Sequence, residues 1–493
     1  MTAHRTRRAT LFPAALSFTL LAAILCVTVF FTLKHAHAQA PAVAPAPAAA
    51  PAGAPDRAAA TNANAAERDR EMKVLGIAEM QPGVTAYFPG QPGNANYDED
   101  KANPYPNIPK LMVFNNGKPV KTAADWQKRR VEIKDMFDEY VYGKYPAHIP
   151  AVTWKVTGTD LLTVQGVAAL VKHVTGHVDN SAYPAITVDI QLDVVTPQAM
   201  HGHKVPVIIG GGSIRPRPTF TPPPGQAVHK LKSPDNPPDS AKLLLEKGWG
   251  FVWINNNEVQ ADNAAGLTKG IIGLVNKSQP RALGDWGVLR AWAWSDSRAL
   301  DYLQTDPDVN GREVGIMGHS RGGKAALVAM VDDPRFAIGF ISSSGAGGAN
   351  LYRRNYGEPM GSLAGINEFH WFAGNFLRYA AKGHTPDEMP VDSHQFIALV
   401  APRPVFIGGG ALLTDPDYAP GDAWQDTQGM FIAAVAASPA WEILGKKGLG
   451  ASALPELGVL IDKGEIGFRQ HEYGHTPAPN WPYFITFADR YLK

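Results

Sequence analysis

Cysteine is all but missing from this chain. A single residue, Cys26, occurs among 493, inside an apolar run near the N-terminus. Beyond that run there is none, so disulfides and thiolate metal sites are excluded and stability has to come from packing. A surplus of charge is missing as well. Lys and Arg number 46 against 45 Asp and Glu, a net charge of +1. No long basic stretch follows the leader, so there is no footprint for nucleic acid. No internal repeat is visible. The apolar fraction of 45% and the charged fraction of 18% are ordinary for a globular protein. The length allows one large domain or two smaller ones.

Long hydrophobic runs are also scarce. The one that stands out spans Leu11 to Leu33, after Arg5, Arg7 and Arg8 and before Ala36-His37-Ala38-Gln39-Ala40. A positive start, an apolar centre and small residues at that spacing read as an export signal over residues 1–38. The run is long for a cleaved signal, which leaves an uncleaved anchor as the alternative. Ile24 and Leu25 are too bulky for a lipoprotein site at Cys26. Residues 39–66, rich in Ala, Pro, Asn and Gly, read as a disordered linker. The expected folded domain is 67–493. The expected location is secreted or periplasmic, with no stable membrane contact unless the leader stays uncut.

Within that domain, Ala123–Tyr142 has Trp126, Ile133, Met136, Phe137 and Val141 near helical spacing. From Val152 to Val195 short alternating segments, such as Ala185–Leu192, suggest antiparallel strands. Apolar strands then alternate with helices. Strands are expected at Val205–Ile209, Gly250–Ile254, Val314–Met317, Ile338–Ser342, Pro404–Gly408 and, last, Gly467–His471. Helices are expected at Trp286–Gln304 and Trp481–Leu492. The Pro-rich stretch Arg215–Pro238 reads as a surface loop. This order predicts a mostly parallel sheet covered on both faces, in a three-layer α/β arrangement.

The chemistry centres on Gly318-His319-Ser320-Arg321-Gly322, a G-x-S-x-G sequence between the strand ending at Met317 and the helix-forming run from Lys324 to Val331. Strand, sharp turn and helix are the context of a nucleophile elbow, and predict an α/β-hydrolase fold. A serine needs a base, and the base needs an orienting carboxylate. In this fold the acid and then the histidine follow the serine in the chain. His475, after the last predicted strand, is the favoured base; His471 is its rival but belongs to the strand. The loop after Pro404–Gly408 offers Asp415, Asp417 and Asp422, and the residues alone do not choose among them. Arg321 and Lys324 put two cations at a helix N-terminus, where they oppose the dipole. That conflict points to function: an oxyanion donor at Arg321, and at Lys324 a donor to substrate hydroxyls or a carboxyl-derived group. Gly210-Gly211-Gly212 falls where a second oxyanion donor loop lies in this fold. Asp392 and His394 have no third ligand nearby in sequence, and read as cap and packing residues rather than a metal pair.

Gly318-His319-Ser320-Arg321-Gly322-Gly323-Lys324 resembles the Gly-(Cys/His)-Ser-Arg-x-Gly-Lys signature of glucuronoyl esterases. The similarity covers roughly residues 105 to 493. It includes Asp285-Trp286-Gly287, Ala291-Trp292-Ala293-Trp294-Ser295, Ser344-Gly345-Ala346-Gly347-Gly348, His370-Trp371-Phe372, Ala401-Pro402-Arg403-Pro404 and Asp422-Ala423-Trp424-Gln425-Asp426. The family cleaves esters between glucuronic acid on xylan and lignin alcohols. The resemblance implies Ser320 as nucleophile, His475 as base and Arg321 as oxyanion stabiliser. It places Lys324, Trp424 and Glu368 at the sugar. It implies a glucuronoxylan–lignin ester as the substrate partner and no metal or organic cofactor; a monomer is expected. Many members carry the acid as Glu just before Ser-Gly-x-Gly-Gly, where this chain has Ser343. Some bacterial members carry it at the later Asp-x-Trp motif, which points to Asp422. The rival readings are an exported acetyl xylan or other carbohydrate esterase, and a carbohydrate-binding homologue with little turnover.

Overall fold

A computed structural model describes residues 57–85, 93–215, 232–413 and 421–493. The leader, with Cys26, and Asp415 and Asp417 lie outside the described residues, as does most of the Pro-rich stretch.

The strands are β1 (Val152–Val164), β2 (Val167–Val178), β3 (Asp189–Pro197), β4 (Val205–Ile209), β5 (Gly250–Ile254), β6 (Val309–His319), β7 (Ile338–Ser342), β8 (Val405–Gly410), β9 (Leu460–Ile461) and β10 (Ile466–His471). They form one ten-stranded sheet in the order β1-β2-β3-β5-β4-β6-β7-β8-β10-β9. From β5 through β10 every neighbouring pair is parallel. β1, β2 and β3 join as antiparallel neighbours at one edge, and β9 at the other. This is the α/β-hydrolase fold. β4 and β7 are buried at every residue, as strands covered on both faces must be.

One face packs beneath the helices Val288–Leu303 and Arg321–Asp332, with Trp292, Leu300, Leu327 and Ile341 in its core. The other carries Ser240–Lys247 and Trp481–Ala488 over Ile208, Phe251, Phe340 and Phe406. There Phe340 stacks on Phe484 with ring centroids 5.0 Å apart and meets Trp481 edge-on at 5.5 Å. Rings packed this way contribute beyond their buried area.

Two details differ from the sequence reading. β3 starts at Asp189 rather than Ala185, because His177 pairs with Asp189 and the turn before it is tied by the Asn180 amide donating to Ile186 O. Of the linker expected over residues 39–66, residues 39–56 lie outside the described residues, and the remainder belongs to an α-helix, Arg57–Leu75. No Pro or Gly occurs between Pro55 and Gly76, and alanine is the best helix former. The helix is anchored to the domain. Asn64 accepts from the Ala264 and Ala265 N–H groups, and buried Glu71 pairs with buried Arg281 at 2.8 Å. Arg281 in turn donates to Phe372 O at 2.6 Å. Ala content had suggested a tether; in this context it makes a docked helix.

Candidate active site

The parallel strands β6, β7, β8 and β10 deliver their C-terminal ends to one place, where ligands bind in open α/β sheets. At the end of β6, Ser320 takes φ +59° and ψ −131° and forms the N-cap of Arg321–Asp332. A non-glycine residue with positive φ is costly and is held only by its surroundings. Here the Ser320 N–H donates to Ser342 O at 2.9 Å, and Ser320 O accepts from the Lys324 N–H. Gly318 and Gly323 permit the tight crossing: a Cβ on Gly318 would stand 2.0 Å from Gly322 O, and one on Gly323 would stand 2.8 Å from Ser342 O. The elbow lifts the serine to a half-buried position. Arg321, first in the helix, has an N–H without an intrahelical partner.

His475 follows β10, and Asp422 follows β8. His475 Nδ1 lies 2.6 Å from Asp422 Oδ1. The second carboxylate oxygen accepts from the Gly410 N–H at 2.6 Å and from Ser343 Oγ at 2.5 Å. Burial pushes the Asp422 pKa upward, but the charge and hydrogen bond of His475 outweigh it, helped by Ser343 and Gly410. The carboxyl is held at about 2. An ionised carboxylate only accepts, so the Nδ1 proton belongs to His475 and Nε2 is left as the basic nitrogen. His475 packs against His319, the residue before the serine, with ring centroids 4.3 Å apart. Burial, then the neighbouring His475, keep the His319 pKa down to about 3. A neutral ring therefore flanks the His475 imidazole. The rival His471 points elsewhere: its Nε2 faces Thr476 O at 2.8 Å and its Nδ1 accepts from the Tyr473 N–H.

Ser343 supports the Asp422 carboxylate at the later motif. Its φ of +46° turns the hydroxyl toward Asp422. The position that carries Glu in many members of the family it resembles here supports the other carboxylate. Sequence reading gave Ser343 no part.

The two cations beside the serine each have a carboxylate. Arg321 Nε lies 2.9 Å from Asp262 Oδ2, with the Arg321 side chain 57% exposed. Lys324 is buried and donates to Ala346 O at 2.5 Å and Glu358 Oε2 at 2.6 Å. The sequence reading expected Lys324 to donate to substrate; two of its donors are held by the protein, and an ammonium with three keeps one in reserve. Glu358 Oε1 also accepts from Trp424 Nε1 at 3.3 Å. Glu368 Oε2 is buried without a hydrogen-bond partner among the described residues. Burial first, then the Glu358 charge, push the Glu368 pKa up to about 8, against Lys324 and Arg321. Lys324, Trp424, Glu358 and Glu368 thus form one electrostatic group. Asp262 and Glu358 were missed because nothing near them in sequence marks them; only a cation without a sequence-local partner hinted that such residues must exist.

The glycine run after β4 does not supply a donor pair. The Gly210 N–H donates to Val252 O and the Gly211 N–H to Ile208 O. A Cβ at Gly210 would stand 2.3 Å from Met317 O, and one at Gly212 would stand 3.0 Å from the Ala241 Cβ. Close packing accounts for these glycines. Asp392 caps the helix Ser393–Ala398 and pairs with Arg353 at 3.0 Å, while His394 Nε2 lies 2.8 Å from Pro109 O. Among the described residues no helix is long and apolar enough to cross a membrane.

Comparison with known proteins places this geometry in a family. The family model described as "Glucuronyl esterase, fungi" matches residues 239–445. The carbohydrate esterase MZ0003, from an unknown prokaryotic organism, is 31% identical over 82% of this chain and 93% of its own length. A CE15 glucuronoyl esterase from Teredinibacter turnerae superposes with a TM-score of 0.76 at 39% identity, covering 87% of this chain and 99% of that one. A glucuronoyl esterase from Solibacter usitatus gives a TM-score of 0.66 at 33% identity, over 79% and 99% of the two chains. Likeness of this extent makes the chain a member of the CE15 glucuronoyl esterase family.

Proposed function

We propose that this protein is a serine carboxylic-ester hydrolase that cleaves esters of (4-O-methyl-)glucuronic acid on glucuronoxylan with lignin alcohols. The observation that carries the reading is the Asp422–His475 pair, 2.6 Å apart, packed against the strained Ser320 elbow. Ser320 Oγ attacks the uronate carbonyl while His475 Nε2 takes its proton. Asp422 fixes the imidazole tautomer and stabilises the imidazolium. The Arg321 guanidinium and its N–H stabilise the tetrahedral oxyanion. Collapse of that intermediate expels the alcohol, which takes the proton from His475. Water, activated by the same histidine, then cleaves the acyl-enzyme. The uronate is the acyl part, so its sugar hydroxyls face the Lys324, Glu358, Glu368 and Trp424 group. No step in this route calls for a metal or an organic cofactor.

The leader read in the sequence supports export to the periplasm or beyond, where cell-wall esters are met. One chain supplies every residue of the site, which supports a monomer as the working unit. The test is hydrolysis of benzyl glucuronate by the wild type against Ser320→Ala, with acetylated xylose esters in parallel. Loss of more than about a thousandfold in kcat on Ser320→Ala is expected, with little cleavage of the acetyl esters. Faster cleavage of the acetyl esters would make the protein an acetyl esterase. Turnover surviving in Ser320→Ala would remove the nucleophile.

A further inference from the structure

We infer that Asp262 is the positioning residue for Arg321, fixing the guanidinium that meets the oxyanion. The inference rests on the role proposed above for Arg321. Arg321 begins the helix Arg321–Asp332, where the dipole disfavours a cation, and its side chain is more than half exposed. A long side chain in that setting is disordered unless something holds it. Among the described residues its one hydrogen-bonding or ionic partner is Asp262. The ion pair is closest at Nε, and neither Nη group makes a hydrogen bond among the described residues.

Asp262 can serve because it is itself fixed. Its Oδ1 accepts from Trp371 Nε1 at 2.6 Å and from His370 Nε2 at 3.0 Å. The preceding turn is pinned from inside: buried Gln260 donates to Gly266 O, accepts from the Ile272 N–H, and takes the Trp292 Nε1 donor on its own carbonyl. The next residue, Asn263, accepts from the Gly266 N–H. Burial pushes the Asp262 pKa up, but His370, Arg321 and Trp371 together bring it below the usual range. Burial keeps the His370 pKa low, so its ring is neutral. With the proton on Nε2, facing the carboxylate, Nδ1 is left buried without a partner. The two oxygens play different parts, since Oδ1 faces the fold and Oδ2 faces the site.

That division makes Asp262→Asn a selective perturbation. The amide oxygen stays with the two fold donors at Oδ1, and the NH2 group then faces Arg321 Nε, donor against donor. We expect kcat on benzyl glucuronate to fall about tenfold to a hundredfold with KM changed less than about twofold. In an Arg321→Ala background, Asp262→Asn should cost nothing further. Asp262→Glu, which keeps the charge but shifts it by one methylene, should show a smaller loss with the same dependence on Arg321, and serves should the Asn variant fold poorly. If Arg321→Ala is impaired while the Asp262 variants are not, the positioning role is wrong and the role of Arg321 stands. If the Asp262 loss persists undiminished in the Arg321→Ala background, Asp262 acts through the fold instead. If Arg321→Ala itself keeps full kcat, both the oxyanion role and its positioning fall together.

Discussion

Asp422→Asn tests the site at its most constrained point. One oxygen of Asp422 faces the His475 Nδ1 proton, and the other holds the Gly410 N–H and the Ser343 hydroxyl. An amide offers one oxygen and one NH2. Placing the NH2 toward Gly410 would set donor against donor, leaving a buried N–H unpaired at a cost of about 1–3 kcal/mol. The amide is therefore expected to keep its oxygen toward Gly410 and present NH2 to His475. His475 must then carry its proton on Nε2, and that nitrogen cannot accept another. The charge is lost as well. A carboxylate about 4 Å from the imidazolium, at an effective dielectric of about 20, is worth about 4 kcal/mol, or a factor of about 1,000 in rate. We expect kcat on benzyl glucuronate to fall by between about a hundredfold and ten thousandfold, with KM little changed. Ser343→Ala removes one of the two donors to the outer oxygen and leaves Gly410, so it is expected to cost only a few fold. Steady-state kinetics on both variants decide the matter. An Asp422→Asn enzyme within tenfold of wild type, or a larger loss from Ser343→Ala, would refute the assignment of the acid.

Lys324→Met should leave the Glu358 carboxylate buried with only the Trp424 indole, and is expected to lower stability by about 3–5 kcal/mol in urea melts. Glu358→Gln added to it should recover part of that loss, and a single variant within about 1 kcal/mol of wild type would contradict the pairing. Acid should destabilise the protein through two groups whose folded pKa values are depressed, Asp422 at about 2 and His319 at about 3. In each case the stabilising contribution is full above the unfolded pKa and is lost as pH falls toward the folded value. For His319 the loss begins below a pH of about 6.5. His319→Cys, matching the other residue of the signature it resembles, should flatten the fall of Tm between about pH 6.5 and pH 4. An unchanged slope would mean that His319 is not held neutral.

How far the sequence reached follows from where each signal lay. The elbow was legible because its elements are local: an apolar strand, two close-packing glycines, a serine and a helix run within about twenty residues. The doubly covered sheet was legible because strands buried on both faces read as continuous apolar runs. His475 was the candidate base by its place after the last strand, the resemblance at the Asp-x-Trp pattern pointed to Asp422, and the fold brings the two within 2.6 Å. The sequence reading failed where composition stood in for context. An Ala-rich stretch became a docked helix once Asn64 and Glu71 found partners 200 and 210 residues away.

The order proposed along the chain, Ser320 then Asp422 then His475, came from the sequence alone, because the fold's connectivity leaves few places for each. Which carboxylates answer the two cations was decided only by tertiary structure. Asp262 and Glu358 reach Arg321 and Lys324 across 59 and 34 residues of chain. A charge becomes a partner through distance and burial, and neither is written in linear spacing.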